Sequence, residues 1–118
     1  DLKCHQLCYS VAGHLPAPAL ALDGAAEFLP EHDMPVGLFT DAEYSDHVIS
    51  FPPRAVLTLF SDGILEVLDS ETLEEKELNL LDILKEGEGS SVELANTFGL
   101  LEIDEVPDDI AILVVSRV

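Results

Sequence analysis

The stretch from Ala55 to Glu66, Ala-Val-Leu-Thr-Leu-Phe-Ser-Asp-Gly-Ile-Leu-Glu, constrains the fold more than any other. Its first half is strand-length, partly β-branched and uncharged, so it reads as a buried strand. The strand ends abruptly at Ser61-Asp62-Gly63, where a turn is expected and Gly63 relieves the backbone. Asp62 therefore sits on a rigid mount from which a carboxylate reaches a cleft. The plain alternative is that Asp-Gly only closes a turn.

The chain before this strand reads as extended segments joined by turns. Asp1 to Gln6 has the look of a turn remnant. Leu7 to Ala12 alternates as a strand, with Leu7, Tyr9 and Val11 on one face. Too few residues precede it to supply a hairpin partner, so the N-terminal half of the domain is expected to be missing. Gly13 to Pro18 is a loop. Asp23-Gly24, between Ala19–Leu22 and Ala25–Leu29, is a two-residue hairpin signal, since Asp-Gly tolerates the positive φ angles of a type I′ turn. A polar loop and the short apolar piece Met34 to Phe39 follow. Tyr44 to Ser50 reads as another strand, and Pro52-Pro53 as a rigid corner.

After Glu66 the period changes. Thr72 with Glu75 forms a capping-box pattern, and Leu73, Leu80, Leu81 and Leu84 recur at helical spacing up to a stop at Gly87. Ser90 with Glu93 opens a shorter helix that Gly99 ends. Leu100 to Pro107 is an acidic connection, and Ile110 to Val115 is a second buried strand. Strands, then two helices, then a strand make an α+β arrangement and not a βαβ alternation. Residues 1–118 read as one partial domain without a linker.

Charge narrows the function. Five basic residues stand against 24 acidic ones, a net charge of −19. Ordinary nucleic-acid binding by phosphate neutralisation is excluded, and docking on anionic membranes is disfavoured. Such a chain suits divalent cations, which would reverse the local sign for a phosphorylated substrate. No apolar run approaches the length of a membrane span, and Cys4 and Cys8 form no disulfide framework, so the expected location is cytoplasmic.

Asp62 ends one uncharged strand and Asp108-Asp109 opens another. If the two strands lie antiparallel and adjacent, those carboxylates meet, and oxygen-only donors suit Mg²⁺ or Mn²⁺ over zinc. The bland reading of Asp108-Asp109 is an acidic turn before an edge strand. Cys4, His5, Cys8 and His14 match no zinc-finger spacing, and on a strand His5 faces away from both cysteines. His14 is a possible substrate or loop contact, the structural alternative being a bond to the loop backbone. Ser10 and Ser61 have no plausible base nearby, and there is no nucleophile elbow.

Four segments in order carry a resemblance: Tyr9 to His14, Met34 to Leu38, Leu59 to Glu66, and Asp108 to Val115. Together they resemble the C-terminal half of a bacterial type-2C, metal-dependent serine/threonine phosphatase of the sporulation stage II type, as found in response-regulator phosphatases. The resemblance covers nearly the whole chain. It implies part of a two-sheet β-sandwich flanked by helices, with a metal centre between the sheets. It implies Mn²⁺ or Mg²⁺ in the complete domain, with Asp62 and Asp108 as ligands and Asp109 their neighbour. The implied partner is a phosphorylated regulatory protein such as an anti-sigma antagonist.

The sequence also departs from that pattern. The Asp-x-x-Gly-His-Gly segment that brings further metal ligands is absent. Leu15 stands where proline is usual, Arg54-Ala55 where Gly-Asp is typical, and Ala111 where threonine is usual. The expectation is therefore a fragment of a phosphoprotein phosphatase, the output domain of a response regulator, not competent alone. The alternative is a degenerate phosphatase-like adaptor without catalysis. An exposed edge at Leu7 to Ala12 is expected to drive self-association or pairing with the missing half.

Overall fold

The computed structural model describes residues 1, 3–30, 33–86 and 90–117. Six strands run in chain order: β1 Gln6–Tyr9, β2 Ala19–Leu22, β3 Ala25–Phe28, β4 His47–Ser50, β5 Val56–Phe60 and β6 Ile112–Ser116. Two helices, α1 Leu73–Glu86 and α2 Ser91–Thr97, fall between β5 and β6. The α+β order read from the sequence is the observed one.

The strands form two antiparallel sheets. The larger has the order β3-β2-β5-β6, and the smaller pairs β1 with β4. The β2–β3 hairpin turns at Asp23 (φ 51°) and Gly24 (φ 81°), two successive positive φ angles as a type I′ turn requires. Directly opposed residues share a face, so Ala19, Thr58 and Val114 line one side of the large sheet and Leu20, Leu57 and Val115 the other. The first side carries both helices. Ala19 and Phe60 there meet Ile64, Leu80, Leu84 and Leu94 in one buried cluster, with Phe98 edge-on to Phe60 at 5.9 Å. Toward the outer edge the opposite face is open, leaving Leu113 and Val115 exposed.

The helix boundaries follow local chemistry with two corrections. Thr72 Oγ1 accepts the Glu75 N–H at 3.2 Å and caps α1. Ser90 occupies the N-cap of α2 as expected, but its side chain makes no cap bond. The end of α2 is a Schellman turn: Leu100 N–H donates to Ala95 and Gly99 N–H to Asn96, with Gly99 at φ 70°. Leu73, expected on the apolar stripe of α1, is exposed at its first turn, and the buried positions of the helix are Leu80 and Leu84. The expected stop at Gly87 lies outside the described residues.

Several strands are shorter than the pattern suggests. The first ends at Tyr9, and Ala12 makes only an isolated bridge with Asp33. The fourth starts at His47 instead of Tyr44, and the last runs from Ile112 instead of Ile110. The trimmed residues keep the alternation without belonging to a regular ladder, although Ala111, just before β6, still bonds Ser61. His5 lies in a turn with φ 56°, not on a strand, so its orientation follows from the turn. Cys4 and Cys8 are free and exposed. No helix among the described residues is long and apolar enough to cross a membrane.

Candidate metal centre

The site is built at the end of β5. That strand pairs antiparallel with β6 in the register Phe60↔Ile112, so the C-terminal end of one lies beside the N-terminal end of the other. The pairing continues past the strands through Ser61. Its N–H donates to the Ala111 carbonyl at 2.9 Å, its Oγ accepts the Ala111 N–H at 2.8 Å, and the same hydroxyl donates to the Asp109 carbonyl at 3.1 Å. One serine thus fastens the chain on both sides of Ile110.

Asp62 opens a 3-10 helix, Asp62–Glu66, where a simple turn was expected. Gly63 has an ordinary negative φ, so its role is not to relieve the backbone. A Cβ there would overlap the Asp109 carbonyl oxygen and lie 3.0 Å from the Asp109 carbonyl carbon and 3.2 Å from Ile110 Cγ1. The missing side chain lets the 3-10 helix rest directly on the Asp109 backbone. Lys76 of α1 donates to the Leu65 carbonyl at 2.6 Å and holds the other end of this short helix.

The segments carrying Asp62 and Asp108-Asp109 are therefore neighbours. All three carboxylates are on exposed residues. Asp108 Oδ1 accepts the Asp109 N–H at 2.8 Å, which fixes the bend before β6. His14 reaches the same place from the β1–β2 loop: Gly13, His14, Leu15, Ser61 and Asp62 line one cleft of about 380 Å³. A smaller cleft of about 250 Å³ continues from His14 along Leu59, Ser61 and Ala111 to Leu113. Gly13 (φ 78°) is itself pressed on Pro35, where a Cβ would come within 2.6 Å of the proline ring. Two of the resembling segments, Tyr9 to His14 and Met34 to Leu38, meet at that contact.

The donors here are oxygen atoms, with one imidazole across the cleft. Oxygen donors suit Mg²⁺ or Mn²⁺, and such ions keep several waters while taking one or two protein carboxylates. The residue types fit a hard divalent cation as part of its ligand set. Among the described residues no group of three or more His, Cys, Asp or Glu side chains is placed to hold a metal ion. Reading the sequence missed Ser61 as a clamp and considered it only as a nucleophile. The signal lay in the β5–β6 register, which sets Ser61 opposite Ala111, but a register is not visible until two distant strands are paired.

The fold has relatives among solved structures. The RsbU and RsbW domains of Rv1364c from Mycobacterium tuberculosis match with a TM-score of 0.70 and 22% identity, over 96% of this chain and 32% of that one. The SiaA-PP2C domain of Pseudomonas aeruginosa matches with a TM-score of 0.64 and 22% identity, over 100% of this chain and 48% of that one. The chain thus spans less than half the length of either. At that identity the likeness establishes the fold, that of a type-2C phosphatase domain. A search of curated proteins gave no significant match. The family model for stage II sporulation protein E (SpoIIE) matches residues 1–118. With that match across its whole length, the chain belongs to the SpoIIE family of bacterial type-2C-like phosphatase domains.

Proposed function

We propose that this chain supplies part of the catalytic centre of a Mn²⁺- or Mg²⁺-dependent phosphatase acting on phosphoserine or phosphothreonine of a regulatory protein in bacterial signalling. The observation that carries the reading is the fastening of Asp62 beside Asp108-Asp109 by Ser61 and Gly63. Two carboxylate-bearing segments are held together, and Asp62 lines a cleft with His14, an arrangement that supports a shared cation site.

In this reading Asp62 and Asp108 hold the cation and Asp109 adjusts its surroundings. When bound, the cation supplies positive charge against the phosphoryl oxygens and acidifies an attacking water. Ser61 keeps both carboxylate segments in register. His14, across the cleft from Asp62, contacts the substrate or donates a hydrogen bond to its phosphate. Residues beyond this chain complete the ligand set, so residues 1–118 are one partial domain and are not competent alone. The domain serves as the cytoplasmic output of a response regulator, and its substrate is an antagonist of an anti-sigma factor.

A second reading is a phosphatase-like adaptor without catalysis. It draws on the absence of a three-ligand group among the described residues. One experiment separates the two: Mn²⁺-dependent phosphate release from a phosphoserine peptide by the intact natural polypeptide, beside its Asp62→Asn variant. The enzyme reading expects release that needs Mn²⁺ and disappears in the variant, with folding unchanged. A well-folded protein that releases no phosphate from several phosphopeptides at millimolar Mn²⁺ would establish the adaptor.

A further inference from the structure

His14 reaches the cleft beside Asp62, yet among the described residues no hydrogen bond holds its imidazole. Its position is therefore set through its backbone, and that backbone is braced by the segment that begins at Asp33. The Asp33 N–H donates at 2.6 Å to the carbonyl of Val11, a buried residue, and Asp33 forms a parallel bridge with Ala12. Gly13 and Pro35 lie two residues further along these two paired segments, and there they press together. A Cβ on Gly13, already at φ 78°, would stand 2.6 Å from both the Cα and the Cγ of Pro35. Neither a side chain nor a shift of this turn toward Pro35 fits.

The side chain of Asp33 keeps Pro35 in place. Its Oδ2 accepts the Ser45 N–H at 2.8 Å, so one residue ties the start of the 33–45 loop to Val11 and draws the end of the loop back to itself. The Tyr44 hydroxyl donates to the Pro35 carbonyl at 3.4 Å, a longer and weaker second tie. Among the described residues apolar burial contributes little to this loop, because Met34, Val36, Leu38 and Phe39 are all exposed. The Asp33 bond is thus the contact on which the shape of the loop depends. Each link from Ser45 through Asp33 and Pro35 to Gly13 joins two residues of this chain, so the arrangement needs no open surface.

We propose that Asp33 is a positioning residue for the candidate centre: by closing its loop on Ser45 it holds Pro35 against Gly13, and so fixes where His14 stands beside Asp62. The inference rests on the phosphatase reading for what His14 then does, which is to meet the phosphoryl group of the substrate. Asp33 itself touches neither cation nor substrate. The arrangement needs a side-chain oxygen that accepts the Ser45 N–H, which asparagine also supplies. Displacing a contacting group by about 1 Å is enough to slow a reaction about a hundredfold. Release of the loop therefore acts on rate and leaves cation affinity as it was.

The test compares Asp33→Ala, Asp33→Asn and Pro35→Ala in the intact natural polypeptide. The His14 imidazole is followed by NMR, its signal assigned by its loss in His14→Gln, and Mn²⁺-dependent phosphate release from a phosphoserine peptide is measured alongside. Asp33→Ala is expected to move the His14 signal and to lower kcat about tenfold, with Mn²⁺ affinity unchanged. Asp33→Asn is expected to keep the parent's signal and rate. Pro35→Ala, altered at an exposed position with the Asp33 bond intact, is expected to fold as the parent does and to move the His14 signal as well. An unmoved signal in either alanine variant, or an unchanged kcat in Asp33→Ala of an active parent, overturns the inference. So does a fall in Mn²⁺ affinity in Asp33→Ala, since Asp33 would then serve the cation, and so does a loss in Asp33→Asn equal to that in Asp33→Ala. Should Asp33→Ala fail to fold, the Pro35→Ala signal decides. A parent that releases no phosphate while both alanine variants move the His14 signal defeats the phosphatase reading and leaves the placement of His14 by Asp33 standing.

Discussion

Replacing Gly63 with alanine tests the construction of the site directly, because two effects compete and the structure decides between them. Gly63 lies within a 3-10 helix at a negative φ, so alanine would ordinarily stabilise that segment by up to about 1 kcal/mol. The added methyl, however, overlaps the Asp109 carbonyl oxygen and stands 3.0 Å from its carbon. These are backbone atoms, and Ser61 holds the chain on either side of them through Asp109 and Ala111. They cannot swing aside as the tip of a long side chain would. Overpacking of this kind costs about 1–3 kcal/mol, and the rigid neighbour places this case in the upper part of that range. Net of the propensity gain, a loss of about 2 kcal/mol is expected, a substantial part of a stability of about 5–15 kcal/mol. For a domain of this size that lowers the melting temperature by about 10 °C. Urea unfolding followed by circular dichroism measures it, with a reduced midpoint and an unchanged slope as the expected result. An unchanged or raised midpoint would refute the close approach of the 3-10 helix to Asp109, and with it the fastening of the two carboxylate segments.

Three further measurements probe neighbouring links. Ser61→Ala removes the hydroxyl that both accepts from Ala111 and donates to Asp109; a loss of about 1–2 kcal/mol is expected by chemical denaturation. Thr72→Ala removes the cap of α1 and costs about 1 kcal/mol, whereas Ser90→Ala, at a cap position without a side-chain bond, stays within about 0.5 kcal/mol of the parent. Leu80→Ala empties a fully buried position between α1 and the large sheet and lowers stability by about 2–5 kcal/mol in the same assay.

The comparison between pattern and structure divides along one physical line. Features set by neighbours in sequence were legible. Asp23-Gly24 encodes its hairpin because two adjacent residues must both take positive φ. Thr72 and Gly99 mark helix ends because their chemistry acts on backbone groups a few residues away. Asp62 and Asp108-Asp109 stood out because carboxylates beside uncharged strands are conspicuous in any reading. Ser90 shows the limit even of local rules, since the right residue at the right position forms no cap bond.

What the tertiary structure alone decided is which distant residues touch. Ser61 meets Asp109 across 48 positions of chain, Gly63 rests on the same backbone, Gly13 presses on Pro35, and His14 arrives opposite Asp62. None of these pairings follows from period or turn chemistry. Each depends on the β5–β6 register and on how the β1–β2 loop packs, and these are fixed by burial of Ala19, Phe60 and Ile64 against Leu80, Leu84 and Leu94. The chain's own residues named the candidate carboxylates; packing of that core brought together the backbone segments that carry them.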